Sequence, residues 1–118
     1  DSIISYCINN KNNVINGYVD KLWNGITSLE WAKLVDRIIR ENDFWNGIRI
    51  YQSKFEGKNC VNEAELLQCI SDVYDLNITI LNTTWGIKIN RTLRGEVIED
   101  DLIDQIADLK DYKFGSIE

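Results

Sequence analysis

Apolar residues recur at helical spacing in three stretches of the chain, and each stretch predicts an amphipathic helix. The first is predicted to start at Thr27, which precedes Glu30 by the spacing of a capping box. It is predicted to end at Asn42-Asp43, with charged residues on its solvent side. Five apolar residues share its predicted core side: Trp31, Leu34, Val35, Ile38 and Ile39.

The other two predicted helices lie in the second half of the chain. Asn62 is the predicted N-cap of one, and Glu63 and Glu65 in its first turn complement the helix dipole. Those two carboxylates point in different directions on a helix, so we interpret them as a helix start and not as a catalytic pair. The last helix is predicted over residues 98–109, with acidic residues covering its outer side.

Short apolar runs predict strands at residues 77–81 and 85–90, with a turn between them, and a last strand near 112–114. Residues 18–23 have helical spacing and predict one or two helical turns, while residues 3–8 fit either a helix or a strand. This order of elements predicts an α+β fold in which helices pack on one small β-sheet.

The charge and the apolar content of the chain bear on which partners it can bind. Residues 1–118 suffice for a single domain, and the net charge is −6. The basic residues are scattered among acids and form no stripe, so we expect no nucleic-acid partner. No apolar run approaches the ~20 residues of a membrane span, and no secretory signal is visible. We therefore expect an intracellular protein with a protein partner and no membrane contact.

Histidine is absent, which excludes histidine-dependent hydrolysis and histidine-ligated metals within this chain. Cys7, Cys60 and Cys69 are an odd set whose spacing matches no zinc motif, so buried, reduced thiols are expected. Cys7 also lacks a neighbouring base for a nucleophilic role.

The glycines show no nucleotide-binding spacing, and the acidic run 96–101 lacks the central Gly of a calcium loop. No metal and no cofactor are expected.

The four tryptophans are the main candidates for protein contact, because the number is high for a domain of this size. Trp31 is expected in the core. Trp23 and Trp45 stand beside Asn-Gly turns and are expected to be the exposed pair. Together with Trp85 they are the candidate protein-contact residues, since indole rings often anchor interfaces.

One segment carries a family resemblance. Residues 59–81 comprise a loop, a predicted helix and a predicted strand, within which Glu65-Leu66, Cys69-Ile70 and Asn77-Ile78-Thr79-Ile80 stand in order. This pattern resembles the ovarian-tumour (OTU) family of cysteine proteases, and about half of the chain fits it. The resemblance implies an OTU-like fold and a ubiquitin-like ligand.

The reactive residues of the resembled family are missing from this chain. Ile4 stands where the family has its nucleophilic cysteine, and Asp111 stands where it has its histidine. We therefore expect a degenerate, catalytically dead OTU-like domain that acts through protein–protein interaction, with ubiquitin or a ubiquitin-like protein as the implied partner.

Two alternatives remain open at this point. A partner or a missing segment could complete a cysteine hydrolase of the deubiquitinase type, or the chain could be a structural subunit of a larger assembly. The absence of Met indicates a processed product, a trimmed chain or a piece of a longer polypeptide. Heavy use of Asn, Ile and Lys favours a viral or parasite source.

Overall fold

The structure is a computed structural model that describes residues 3–41 and 49–112. Within these ranges the helices and strands, in chain order, are α1 (Ile3–Asn9), β1 (Val14–Tyr18), β2 (Lys21–Trp23), α2 (Ser28–Arg40), β3 (Tyr51–Gln52), β4 (Val61–Asn62), α3 (Glu63–Tyr74), β5 (Thr79–Thr83), β6 (Ile89–Asn90), β7 (Glu96–Val97) and α4 (Leu102–Asp111).

The described strands form three small sheets, where one small sheet was predicted. β1 and β5 pair in parallel, with Val14 opposite Thr79. β2 lies between β4, which is antiparallel to it, and β6, which is parallel to it. β3 and β7 form a third, parallel pair. The α+β class is therefore correct, and the single sheet is wrong.

The core forms around α3, which packs against α1, α4, β1 and β5. Its buried residues include Leu67 and Ile70, both at most 2% exposed. β1 approaches α3 closely at Gly17, where a Cβ atom would lie 2.7 Å from the Cα of Ala64 and 2.6 Å from Cγ2 of Ile80. Only glycine fits this contact without displacing its neighbours.

The three predicted helices are present, and their caps explain where they begin. The Thr27 hydroxyl accepts a hydrogen bond from the Glu30 amide at 3.2 Å, although the Glu30 side chain does not complete a capping box. Asn62 and Glu65 do form a reciprocal capping box at the start of α3. Asp101 caps α4, so this helix begins at Leu102 and not near residue 98. The predicted end of α2 at Asn42-Asp43 lies outside the described residues.

The predicted core side of α2 is wrong at both of its ends. Trp31 is 59% exposed and Ile39 is 58% exposed, whereas Ile38 is buried. α2 lies at the edge of the described part of the molecule, against α4. A helix in that position buries a narrow stripe, so part of a wide apolar face stays in solvent.

The helical turns predicted over residues 18–23 are also wrong. Ile15 and Gly17 are buried in alternation along β1, and β2 starts at Lys21. The partner of β1 is β5, more than sixty residues later, and that distant pairing overrides the local spacing. The strands predicted at 77–81 and 85–90 are present in part, as β5 and β6, but the turn predicted between them is wrong at its start because β5 continues through Asn82 and Thr83. Of the last predicted strand, only Tyr112 is described, and it follows α4.

Three buried side-chain amides form hydrogen bonds to the segments that connect the helices and strands. Gln105, with no exposed surface, accepts a hydrogen bond from the Thr27 amide at 3.0 Å and donates to the Ser53 hydroxyl at 2.8 Å. Gln52 accepts from the Gly95 amide at 3.0 Å, and Asn24 holds a further loop. These bonds satisfy backbone groups that would otherwise be buried without partners.

None of the described helices has both the length and the apolar character needed to cross a membrane.

Candidate functional site

A cleft of about 950 Å³ opens between α1, α3, α4 and the sheet that holds β2 and β6. Its walls are apolar, because α1 and α3 turn their aliphatic residues toward each other across it. Trp23 adds an indole ring to these walls. The main apolar residues of the walls are Ile4, Ile8, Trp23, Leu66, Ile70 and Ile106.

Two cations enter this cleft from neighbouring strands. Lys21 of β2 lies opposite Ile89 of β6, and Arg91 follows two residues after Ile89. Residues in register, or two apart, point to the same face of a sheet, so both cationic side chains face the cleft. The Arg91 amide donates to the Leu22 carbonyl at 3.0 Å, which continues the pairing past β6. The strand spacings place the two Cα atoms on the order of 8 Å apart.

The remaining polar groups of the cleft are mostly uncharged. Thr27 and Ser28 contribute hydroxyls where α2 begins, and Tyr74 contributes a phenol near the end of α3. Glu63 is the one carboxylate among the described lining residues. Two cations and several hydroxyls in an apolar cleft suit a ligand that carries both an anion and a ring.

Trp23 and Trp85, the two candidate protein-contact residues that are described, do not line the same surface. Trp23 is half-buried and lines the cleft, while Trp85 is 54% exposed and lies on the loop before β6. Trp45 lies outside the described residues. A role in protein contact stays a prediction for all three.

The two positions assigned by the OTU resemblance have other roles in this fold. Ile4 lies on α1 and forms part of the cleft wall. Asp111 is the last residue of α4 and is exposed. They lie on different helices and share no described contact that would mark a lost catalytic pair.

Two of the three thiols are buried and are not activated. Cys7 and Cys69 are buried and unpaired, and burial raises the pKa of each thiol to about 11. At neutral pH they are therefore protonated and shielded, which removes the thiolate that a cysteine hydrolase needs. Cys60 is half-buried and also free.

A cluster of carboxylates lies between α2 and α4, where the sequence indicated only a solvated helix face. Oxygens of Glu30, Asp100 and Asp108 lie within 4.8 Å of one another. The Lys33 ammonium pairs with Asp108 at 3.1 Å and supplies a positive charge there.

Oε2 of Glu30 is buried without a hydrogen-bond partner in the described residues. Burial, and next the charge of Asp100, raise the pKa of Glu30. The pairing of Asp108 with Lys33 relieves part of the repulsion in this cluster.

These groups could not be found from the sequence. Glu30 and Asp108 are 78 positions apart, and Lys21 and Arg91 are 70 apart, so neither cluster forms a local motif. One sequence feature does point to the two cations. Residues 21–23 and 89–91 each have one basic and one large apolar residue two positions apart, and residues two apart on a strand point to the same face.

Comparison with known proteins supports a different fold from the one expected. No family model and no curated protein sequence matches the chain. Among solved structures, a dTDP-4-dehydrorhamnose reductase from Clostridium acetobutylicum is similar, with a TM-score of 0.72 and 12% identity. The match covers 94% of this chain and 43% of the reductase chain, so this chain spans less than half of that protein.

The OTU resemblance is therefore wrong. A predicted helix followed by a strand does occur, as α3 and β5, but β5 pairs in parallel with β1 and the assembled fold matches the reductase. Helix–strand units of this kind occur in many folds, so residues 59–81 did not specify one family. The ubiquitin-like ligand and the dead-protease interpretation rested on that resemblance and lose their basis. At 12% identity the likeness establishes the fold alone: the chain shares the fold of a part of that reductase.

Proposed function

We propose that this chain is the ligand-binding part of a longer, reductase-like protein and that its cleft binds a nucleotide-linked sugar. The observation that carries the proposal is the pair of cations, Lys21 and Arg91, on one face of an otherwise apolar cleft. The similar reductase is named for a dTDP-linked sugar, which combines a diphosphate with a base and two sugar rings.

The chemistry of the cleft suits each part of such a ligand. A guanidinium binds phosphate through two parallel hydrogen bonds, and an ammonium adds a compact charge, so Arg91 and Lys21 together match a diphosphate. The Trp23 ring offers a flat apolar surface for a base or a sugar ring. Hydroxyls of Thr27 and Ser28 and the Glu63 carboxylate supply hydrogen-bonding partners for sugar hydroxyls.

The global charge opposes this binding, and the local charge favours it. A net charge of −6 repels an anionic ligand at long range. At the cleft, two cations face a single carboxylate among the described lining residues. Binding is therefore expected to depend on contact with Lys21 and Arg91 and to weaken as salt rises.

This chain is proposed to bind the ligand and not to carry out the reduction. Reduction of a sugar requires a hydride donor, and these 118 residues hold no glycine-rich dinucleotide motif. They also hold no histidine. A hydride donor and the groups that move protons would come from another part of the longer protein.

Isothermal titration of the 118-residue chain with thymidine diphosphate and with dTDP-glucose tests the proposal. Lys21→Gln and Arg91→Gln are each expected to weaken binding about tenfold or more, because each removes a charged hydrogen bond. Lys88→Gln is the matched control: it removes the same charge from the same segment, at a residue outside the cleft lining. Absence of binding at millimolar ligand, or equal losses in all three variants, would contradict it.

A second candidate function is protein contact within an assembly, and we propose it on one observation. Trp31 and Ile39 are both more than half exposed and lie eight residues apart along α2, on one face. The two side chains leave an indole and an aliphatic group in solvent about 12 Å apart along the helix axis, where one neighbouring chain could cover both. Light scattering of the chain and of Trp31→Ser tests it: self-association that the substitution abolishes supports contact, and a monomer in both cases at high concentration opposes self-contact.

A further inference from the structure

Lys21 lies between two aromatic rings at the edge of the cleft. Its Nζ is 4.5 Å from the centre of the Tyr18 ring and 4.4 Å from the centre of the Trp85 ring. The two rings meet edge to face, with their centres 5.3 Å apart and their planes at 87°. An ammonium within 6 Å of a ring face is attracted by the ring electrons, and here two rings act on the same charge.

The Trp85 ring is held in place by its backbone. The Asp20 carboxylate accepts hydrogen bonds from the Trp85 and Gly86 amides, each at 3.0 Å. The Trp85 bond is also the largest cause that lowers the pKa of Asp20, so this carboxylate stays charged. Gly86 has φ of +107°, a conformation that L side chains rarely adopt, so glycine permits the turn that directly follows Trp85.

The same loop is tied at both ends to the turn that precedes Lys21. The Val19 amide donates to the Thr83 carbonyl at 2.9 Å, and the Ile89 amide donates to the Asp20 carbonyl at 2.8 Å. Both ends of the segment 84–88 are therefore hydrogen-bonded to the β1–β2 turn. The position of Trp85 is set relative to Lys21 and not only to its own loop.

We propose that Trp85, together with Tyr18, is a positioning residue that fixes the Lys21 ammonium at the cleft for contact with a diphosphate. This assignment rests on the proposed function of the cleft. A free lysine side chain samples many rotamers, and binding an anion would have to restrict them. Two rings that hold the ammonium beforehand reduce that cost, and preorganised groups bind more tightly.

Inorganic pyrophosphate separates this role from direct stacking, because it has no ring to lie on an indole. Trp85→Ala is expected to weaken pyrophosphate binding about three- to tenfold, the range that one or two cation–ring contacts provide. Trp85→Phe, which keeps a ring, is expected to restore most of the affinity. Trp31→Ala is the matched control: it removes another exposed indole that lies outside the cleft lining, and it should change nothing.

A double-mutant cycle tests whether Trp85 acts through Lys21. In a Lys21→Gln background, Trp85→Ala is expected to have no further effect on pyrophosphate affinity. Losses that multiply in the double variant would overturn the assignment, since Trp85 would then act by another route. If Arg91→Gln weakens binding and Lys21→Gln does not, the assignment is overturned while the proposed function stands. If neither pyrophosphate nor thymidine diphosphate binds, both fail.

Nuclear magnetic resonance of the ligand-free chain tests the clamp without any binding. The ε-methylene protons of Lys21 are expected upfield of ordinary lysines, because they lie over the Trp85 and Tyr18 rings. Trp85→Ala should move them toward the ordinary position. An ordinary chemical shift in the unsubstituted chain would overturn the assignment even if the cleft binds the ligand.

Discussion

Asn24 and Leu93 are joined by two hydrogen bonds although 69 residues separate them in the chain. The Asn24 side-chain amide donates to the Leu93 carbonyl at 2.7 Å, and its oxygen accepts from the Leu93 amide at 2.9 Å. Asn24 is 5% exposed and directly follows β2, while Leu93 lies two residues beyond Arg91. The pair therefore ties together the two segments that bring Lys21 and Arg91 into the cleft.

Replacing Asn24 with Ala is expected to destabilise the fold by about 1–3 kcal/mol, because both backbone groups of Leu93 lose their partner. Urea unfolding followed by circular dichroism measures the loss. Asn59→Ala removes an exposed loop amide and serves as the control, with little expected change. Equal stability of Asn24→Ala and the unsubstituted chain would show that the two bonds do not hold this segment.

Gly17→Ala is expected to cost about 1–3 kcal/mol or more, since a new Cβ would lie 2.6 Å from Ile80 and 2.7 Å from Ala64. β1 would have to move away from α3 to accept it. Thermal unfolding measures the effect, with Val14→Ala as a control on the exposed side of the same strand. A melting temperature that Gly17→Ala leaves unchanged would mean that the close approach of β1 to α3 is absent.

The carboxylate cluster predicts how stability depends on pH. The folded pKa of Glu30 is raised above its ordinary value, so the folded chain holds this proton more tightly than the unfolded chain does. The resulting stability is fully present below the ordinary glutamate pKa and is lost as pH rises through the raised value. Glu30→Gln removes this loss, so the variant should gain stability relative to the unsubstituted chain as the pH rises above the ordinary glutamate pKa.

Denaturant unfolding at several pH values measures that difference. Glu99→Gln, at an exposed acidic residue, is the control. A constant difference between Glu30→Gln and the unsubstituted chain across these pH values would contradict the raised pKa.

The thiols differ in exposure and should differ in reactivity. Cys7 and Cys69 are buried, with pKa values raised to about 11, whereas Cys60 is half-buried. Titration with a thiol reagent at neutral pH should label Cys60 quickly and the other two only after unfolding in urea. Fast labelling of the Cys60→Ser variant in the absence of urea would contradict the burial of Cys7 and Cys69.

The sequence predicted the helices well because their signals are local. Asn62 and Glu65 cap α3 within four residues, and the apolar spacing that follows identifies Leu67 and Ile70 as core. The class of fold follows from the same local patterns. The two ends of the predicted core side of α2 were wrong because spacing shows that Trp31 and Ile39 share a face but not how much of it a neighbour covers.

The strands and the cleft could not be predicted because their causes are distant. Residues 18–23 have helical spacing, yet β1 pairs with β5, which begins 65 positions after β1 does. Lys21 and Arg91 line the same cleft because β2 and β6 pair in parallel, and no local pattern fixes that pairing. The family resemblance failed for the same reason, since it rested on one local helix and strand.

The cleft beside Lys21 and Arg91 is proposed to bind a nucleotide-linked sugar. Titration of the ¹⁵N-labelled chain with thymidine diphosphate, followed by NMR, is the sharpest test of this binding. The indole N–H of Trp23 and the Nε–H of Arg91 are predicted to shift with a single affinity, while the indole N–H of Trp31 on the outer side of α2 stays in place. No shift at millimolar ligand, or shifts at Trp31 without shifts at Trp23 and Arg91, would contradict it.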